Sequence, residues 1–409
     1  LTDMCFVTVP HPLGMISKEE VNAKVDAAFD DIVKAATAWT PSKEKQDAQV
    51  KPYPAKRFKF SGTYADVNDM FQKRKWSLSL PIVPPTVDKV AAMLKGTKRN
   101  PAEVLWVVPP RQGMLTVELV AALGVMAGAK PEHMPLLIAT VEAMADPVAA
   151  WRGPTTTTAA TVPVFFISGP IIEKLKLNPG TGTAGGENPV TNALGYFVNL
   201  VGDVVGGSVP PNFDKSTHGS SADLVAMVFT ENAKENPWKT TYAEEAGFKP
   251  GDSIVTHFSA YLGNANIDHD SKTGQRLLTT LSTGLLGSAS GLASCLADYD
   301  ATYAINNKVS FAFIVLCPEH AATIAKDFPD QRAARDFMRE TAAMPYKFYS
   351  QETCVPGKDF GPYDENTFIP RFKKTESIKF FVSGGPGKQS QIWVPFPQVF
   401  KPVSKKIAE

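Results

Sequence analysis

A strand and a capped helix stand at the front of the chain, separated from everything that follows by a charged stretch rich in proline. Residues 5–9 (Cys5-Phe6-Val7-Thr8-Val9) read as a buried strand, and Pro10, His11, Pro12 and Gly14 make a sharp turn. Ser17 then opens a helix with Glu20 three residues on, the reciprocal pattern of a capping box. Apolar Val21, Val25, Ala28, Phe29 and Ile32 follow at helical spacing. One strand and one helix bury no core by themselves. The pair is therefore expected to complete a sheet supplied by the rest of the chain or by another chain. Leu1 is not an initiator methionine, which is compatible with processing of the N-terminus.

Residues 41–57 carry three prolines (Pro41, Pro52, Pro54) among lysines, glutamate, glutamine and aspartate, and read as a linker. Beyond it the apolar segments alternate in type. Helical spacing marks 64–75, 88–94, 116–128, 131–144, 190–205, 273–285, 319–327 and 330–343. Short apolar runs mark strands at 104–108, 162–167, 224–229, 254–258, 311–316, 378–382 and 391–394. Strands alternating with helices predict an α/β fold around mostly parallel, buried sheets.

An internal echo divides this body. Pro131-Glu132-His133 opens a helix and Phe165-Phe166-Ile167-Ser168-Gly169-Pro170 follows; later Pro318-Glu319-His320 opens another, followed by Phe380-Phe381-Val382-Ser383-Gly384-Gly385-Pro386. The repeated order points to two related α/β halves, 58–250 and 251–409, behind an N-terminal β-α piece at 1–40 and the linker.

With 409 residues and 44% hydrophobic content there is enough chain for at least two cores. The formal charge of +1, with scattered lysines and arginines, gives no electrostatic footprint for nucleic acid. No apolar run reaches the ~20 residues of a membrane span, and Asp3 with Pro10 and Pro12 interrupts the first apolar run where a signal peptide would need continuity. Cys5, Cys295, Cys317 and Cys354 lie far apart, without zinc-type or CxxC spacing, as in a reduced cytoplasmic protein with buried thiols.

Gly180-Thr181-Gly182-Thr183-Ala184-Gly185 matches G-x-G-x-x-G, but no strand precedes it, so a dinucleotide fold is not indicated. What remains is a glycine loop entering a helix, where backbone N–H groups can meet an anion or carboxylate. Ser383 to Ser390 lacks the phosphate-loop spacing; it reads as a tight turn at a strand's end that presents Lys388 and backbone amides, with Gly384 and Gly385, to a cleft. The six histidines (His11, His133, His218, His257, His269, His320) form no local pair, and no metal site is legible. Asp268-His269-Asp270 reads as a solvated turn, and His133 and His320 as helix-start residues held by packing and capping. His218 precedes a strand, where loop residues often reach an active site. Arg111 suits carboxylate binding or an internal salt bridge with Glu118.

Several of these stretches, taken in order, resemble one family. Pro10-His11-Pro12-Leu13-Gly14 and its helix are similar to the end of the small UGSC-type (seleno)protein domain, named for its Sec/Cys-Gly-Ser-Cys motif. From Tyr64 the chain resembles the larger protein associated with that domain: Tyr64 to Asn68, Leu80 to Thr86, Pro109-Pro110-Arg111, Thr116-Val117-Glu118, Val125 to Gly128, Pro131 to Pro135, Gly169-Pro170, Glu231-Asn232, Pro237-Trp238, Pro318 to Ala321 and Gly384 to Lys388. The chain departs from the family at Leu78-Ser79, where Asp-Gly is usual, and at Leu123 and Ala129, where Asn and Cys are usual. The Sec/Cys-Gly-Ser-Cys motif itself does not occur in these residues.

The resemblance implies a large component of a thiol- or selenol-dependent complex. A small Cys- or Sec-containing partner, or an upstream segment, would supply the reactive atom, and a small organic molecule would be the substrate of a redox or reductive-cleavage reaction. His218, Glu118 and His11 would be the catalytic candidates. Arg111, Gly182, Gly185, Gly384, Gly385 and Lys388 would be the substrate-binding ones. The cofactor is left open, and an oligomer is expected. Two other classes are compatible with the residues: a self-contained lyase or hydrolase using His218 and a carboxylate, and a non-catalytic scaffold subunit.

Overall fold

The computed structural model describes residues 7–10, 16–38, 53–186, 188–210, 214, 217–261, 263–287, 311–348, 364–372, 374–396 and 399–408. It divides into two compact units, Leu1–Pro52 and Tyr53–Glu409.

In the first unit, α1 (Lys18–Thr37) begins as its sequence dictates. The Ser17 amide donates to Glu20 Oε2 at 2.9 Å and the Glu20 amide donates to Ser17 Oγ at 3.2 Å. Glu19 and Glu20 in the first turn and Lys34 in the last complement the helix dipole. Only Ala28 of this helix is buried, whereas Phe29 is 57% exposed and Val25, Ile32 and Val33 are also exposed. The expected strand is corrected for residues 7–9, which are not in a β ladder. A strand needs another strand's N–H and C=O groups, and the described residues of this unit provide none; Cys5, Phe6 and His11 lie outside the described residues.

The second unit runs α2 (Tyr64–Lys73), α3 (Val87–Leu94), β1 (Val104–Val108), β2 (Gly113–Thr116), α4 (Val117–Met126), α5 (Met134–Ala145), β3 (Val162–Ser168), α6 (Ile171–Lys174) and α7 (Pro189–Asn199). The chain continues through a π-helical turn, Leu200–Val205, into β4 (Met227–Thr230), α8 (Tyr242–Glu245), β5 (Ile254–Ala260), β6 (Asn264–Ile267) and α9 (Gly274–Gly287). Then come β7 (Ala312–Leu316), α10 (Pro318–Asp327), α11 (Gln331–Thr341), β8 (Ala343–Pro345), β9 (Phe368–Pro370), β10 (Ile378–Val382), β11 (Gln389–Trp393) and β12 (Val403–Lys406).

Two four-stranded sheets organise this unit, in the orders β12-β5-β3-β4 and β10-β7-β11-β6. The expectation of mostly parallel sheets is corrected: each has one parallel pair, β3 with β4 and β7 with β10, and two antiparallel ones. The reason is loop length. Parallel neighbours need a crossover of about a dozen residues or more, and the turn between β10 and β11 spans only residues 383–388, so β11 runs back along the far side of β7. Each sheet is completed by a strand from elsewhere. β6, close after β5, joins the second sheet, and β12, after β11, joins the first. A boundary at 250/251 would therefore part β5 from β3 and β4.

Alternate residues of the strands face different layers. One face of the first sheet (Phe165, Ile167, Val228, Val255) packs under α4, α5 and α7. The outward face of the second (Ile314, Leu316, Phe380, Ile392) packs under α9, α10 and α11. Between the sheets lies a cluster of phenylalanines in which the Phe166 ring stands 4.3 Å from that of Phe313 and 4.8 Å from that of Phe381. The result is a helix–sheet–sheet–helix sandwich. With both faces covered, β3 and β7 are apolar without polar alternation, and every residue of β5 is buried although it carries Thr256, His257 and Ser259. By contrast β1, expected to be buried, pairs only with β2 and leaves Val104 and Val107 exposed.

Candidate functional site

The two glycine loops, some 200 residues apart in sequence, meet at the carboxyl ends of the parallel strands. The Gly384 amide donates to the Pro179 carbonyl at 2.8 Å. Gly385 lies so close to Thr181 that a Cβ there would stand 2.2 Å from Thr181 Oγ1 and 3.0 Å from its backbone nitrogen. Gly182 and Gly384 have φ of +74° and +87°, the left-handed region that glycine enters without strain.

Beneath the loops the strand ends join. Glu231 and Ser383 form an antiparallel bridge, the Asn232 amide donates to the Val382 carbonyl at 2.8 Å, and the Ser383 hydroxyl donates to the Thr230 carbonyl at 2.7 Å. Ser168, at the end of β3, donates its hydroxyl to Glu231 Oε2. The first amides of α8 close the cluster: Tyr242 N–H donates to Glu231 Oε1 at 2.7 Å and Ala243 N–H to Ser168 Oγ at 3.2 Å. Burial pushes the Glu231 carboxyl above its ordinary range, against hydrogen bonds from Ser168 and Tyr242 that pull it down. Thr230 donates its amide to Thr183 Oγ1 at 3.3 Å, and Asn188 Nδ2 donates to the Thr183 carbonyl at 3.3 Å. Thr230 Oγ1 and Asn188 Oδ1, both buried, have no hydrogen-bond partner among the described residues.

The loops hold themselves together more than the sequence led us to expect. Gly180 N–H donates to Asn178 Oδ1, Thr183 N–H to the Gly180 carbonyl and Gly185 N–H to the Gly182 carbonyl, so these amides are engaged by the loop itself. The amides of Gly387 and Lys388 both donate to Glu319 Oε2, at 2.6 and 3.0 Å, and Lys388 Nζ donates to the His269 carbonyl at 2.9 Å. The amides of this turn thus meet a carboxylate of α10 in place of an open cleft. Hydrogen bonds from Gly387 and Lys388 outweigh desolvation and hold Glu319 below its ordinary range.

The remaining candidates lie apart. Glu118 is buried on α4, where Oε2 accepts from Ala55 N–H at 2.7 Å and Oε1 from Arg57 at 3.1 Å. It fastens residues 55–57, so the end of the expected linker is anchored chain. Arg111 is exposed in the β1–β2 turn; its amide donates to the Gly206 carbonyl and its side chain passes over Gly207. His218 is exposed, and its neighbour Thr217 donates its hydroxyl to the carbonyl of Thr158, on the amino side of β3 and away from the loop junction. His133 accepts the Lys130 amide at Nδ1, a capping contact, and His320 sits buried between Ser390 Oγ at 2.8 Å and the Asp268 carbonyl at 3.1 Å. Cys317 is buried at the start of α10. Among the described residues no three His, Cys, Asp or Glu side chains cluster as metal ligands, and no helix is long and apolar enough to cross a membrane.

Sequence reasoning missed Ser168, Thr183, Asn188 and Thr230 as members of the junction. Ser168 and Thr230 end apolar strands, a signal that was present; Thr183 and Asn188 become informative only once the loop is folded. A second feature was also missed, a cavity of about 1130 Å³ reached from α8 and lined in part by Tyr242, Phe248, Phe311, Lys374, Lys379 and Lys401. The chain matches no protein-family model and, among curated proteins, none significantly.

Proposed function

We propose that this chain is the large component of a UGSC-like thiol- or selenol-dependent enzyme complex that carries out a redox or reductive-cleavage reaction on a small organic molecule. The reactive sulfur or selenium belongs, in this reading, to a small partner chain or an upstream segment. A low-pKa thiolate or selenolate attacks an electrophile and a second Cys of the same motif resolves the adduct. Such a reaction needs a dry, preorganised wall that orients the substrate.

One observation supports this large-chain role above the others: two distant glycine loops converge on buried strand ends where the Thr230 hydroxyl and Asn188 Oδ1 find no partner among the described residues. Ligands of open α/β sheets characteristically sit beyond the carboxyl ends of strands. Gly182, Gly185, Gly384 and Gly385 then belong to the substrate side, in the two loops that close over these strand ends. The exposed apolar residues Val25, Phe29, Ile32 and Val33 of α1 support a docking role for residues 1–40 toward the small chain.

The architecture carries a related proposal. The sheets are two related halves, as their shared plan suggests: a central strand (β3 or β7), a parallel neighbour (β4 or β10) and an antiparallel return (β5 or β11). This pairs β3 with β7. The sequence echo had instead pointed to β10, which lies at a sheet edge.

Native mass spectrometry of the purified complex, with and without alkylation, tests the function. A co-purifying small Cys- or Sec-containing chain, or an upstream segment, whose alkylation abolishes turnover is the expected result. Full activity of residues 1–409 alone would overturn it. Activity of the complex that is indifferent to alkylation would overturn it as well.

A further inference from the structure

We propose that the cavity beside α8 is a binding site for an amphipathic organic anion: an aromatic or branched apolar body bearing a carboxylate, sulfonate or phosphate. Its volume, about 1130 Å³, matches or exceeds what a drug-sized ligand fills. Tyr242, Phe248 and Phe311 supply aromatic wall.

The charge balance fixes the sign of the ligand. Two carboxylates line the cavity, Glu245 and Glu376, and each is held by an arginine from outside it. Arg335 grips Glu245 with both terminal nitrogens, at 2.7 and 3.0 Å, and Arg332 meets Glu376 at 2.8 Å. Asp146, which also feels Lys401, is bonded to Lys405 at 2.8 Å. Lys374, Lys379 and Lys401 therefore add positive charge to a rim whose carboxylates already have partners. Lys379 forms a half-buried ion pair with Glu245 at 3.6 Å and shares that carboxylate with Arg335, so five cations (Arg332, Arg335, Lys374, Lys379 and Lys401) stand against two carboxylates, Glu245 and Glu376. Three ammonium groups around an aromatic wall favour a ligand with one anionic end and an apolar body, and disfavour both a bare inorganic ion and a neutral hydrocarbon. Tyr242 also gives its amide to Glu231, so a ligand here would touch the same short helix that closes the strand-end cluster.

The proposal stands independently of any thiol chemistry, and its test reads binding alone. The probe is anilinonaphthalene sulfonate, compared by fluorescence titration with its uncharged relative phenylnaphthylamine. The expected result is saturable one-to-one binding of the sulfonate, at least about tenfold tighter than the neutral probe. The triple variant Lys374→Met, Lys379→Met, Lys401→Met should weaken the sulfonate about tenfold or more and leave the neutral probe unchanged. Phe248→Ala should weaken both. An aromatic carboxylate should displace the sulfonate, and inorganic phosphate at equal excess should not. Thermal melts followed by circular dichroism establish that each variant is folded. Equal affinity for the two probes, an unaffected triple variant, non-saturable binding or displacement by phosphate alone would each overturn the assignment.

Discussion

The loop junction and the cavity both draw on α8, and they handle polarity in opposite ways. At the junction the chain answers most of its own demands: amides meet carbonyls of the same loop, Glu319 fills the turn at Gly387 and Lys388, and Glu231 is matched by Ser168 and Tyr242. Around the cavity Lys374 and Lys401 join Lys379, which shares Glu245 with Arg335, so the cations outnumber the carboxylates. Glycine motifs in this chain thus mark places where one backbone approaches another, with two buried acceptors left over. Uncompensated charge appears where the sequence shows only ordinary lysines and phenylalanines. Preorganised backbone gives precision of position; unpaired charge gives attraction for something from outside.

The widest separation between the two regions is expected from Glu231→Ala. Truncation leaves the Ser168 hydroxyl and the Tyr242 amide without their acceptor in a dry site, a loss of about 3 kcal/mol. Glu231→Gln keeps the volume and a carbonyl acceptor, and its cost should stay near 1 kcal/mol. Urea unfolding of the two variants measures the gap. If both fall equally, the cluster is held by shape rather than by hydrogen bonds.

Next in size is a pH effect that follows from the first sheet's exclusion of charge. His257 on β5 is fully buried, stacked on Phe165 with ring centroids 4.5 Å apart, and burial lowers it from 6.5 to about 3 against a hydrogen bond to the Val164 carbonyl. The unfolded chain takes up this proton first as pH falls. The stabilisation from a neutral His257 is therefore complete above about pH 6.5 and is lost progressively toward pH 3. Glu231 acts in the opposite sense, since its raised folded value makes its contribution greatest in acid and diminishes it as pH rises through that value. Unfolding free energies between pH 7 and pH 4 should fall by roughly 2 kcal/mol in the parent. His257→Phe should flatten that slope; an unchanged slope would assign the acid sensitivity elsewhere.

Gly385→Ala probes the junction with a single methyl. The added carbon meets Thr181 Oγ1 and its backbone, so either loop must shift, at about 1–2 kcal/mol. Gly182→Ala, where a Cβ meets nothing within 4 Å, should cost only the strain of its positive φ, about 1 kcal/mol. A Gly385→Ala variant as stable as the parent would mean that the loops do not depend on their contact.

How much of this was legible depended on the range of the interaction. The Ser17–Glu20 capping box, the apolar strand at β7 and the helices at α4 and α5 are set by neighbours in sequence, and they read directly. β6 and β12 did not. Asn264 to Ile267 and Val403 to Lys406 have little apolar pattern of their own, and each becomes a strand only because a sheet edge from the other part of the chain receives it. The part Glu118 plays in fastening residues 55–57 was hidden for a similar reason: its partners, Ala55 and Arg57, sit some 60 residues away, in a segment that read as linker. Glycines at Gly182 and Gly385 announced a special backbone but not whether a ligand or another loop would approach it.

The smallest stability effect belongs to the cavity, and it is the sharpest test of the contrast. Lys374 and Lys401 are exposed, and among the described residues neither holds a carboxylate in a close ion pair, Lys401 acting on Asp146 only at longer range. Replacing either by Met removes no intramolecular bond of consequence, so unfolding free energy should stay within about 0.5 kcal/mol of the parent. It should rise slightly if the lysines repel one another. Raising salt should mimic that rise in the parent, because screening weakens repulsion among exposed charges. A loss of more than about 1 kcal/mol on Lys374→Met or Lys401→Met would mean that these ammonium groups serve the fold, as Glu231 does. The difference between a self-satisfied junction and a cavity awaiting an anion would then disappear.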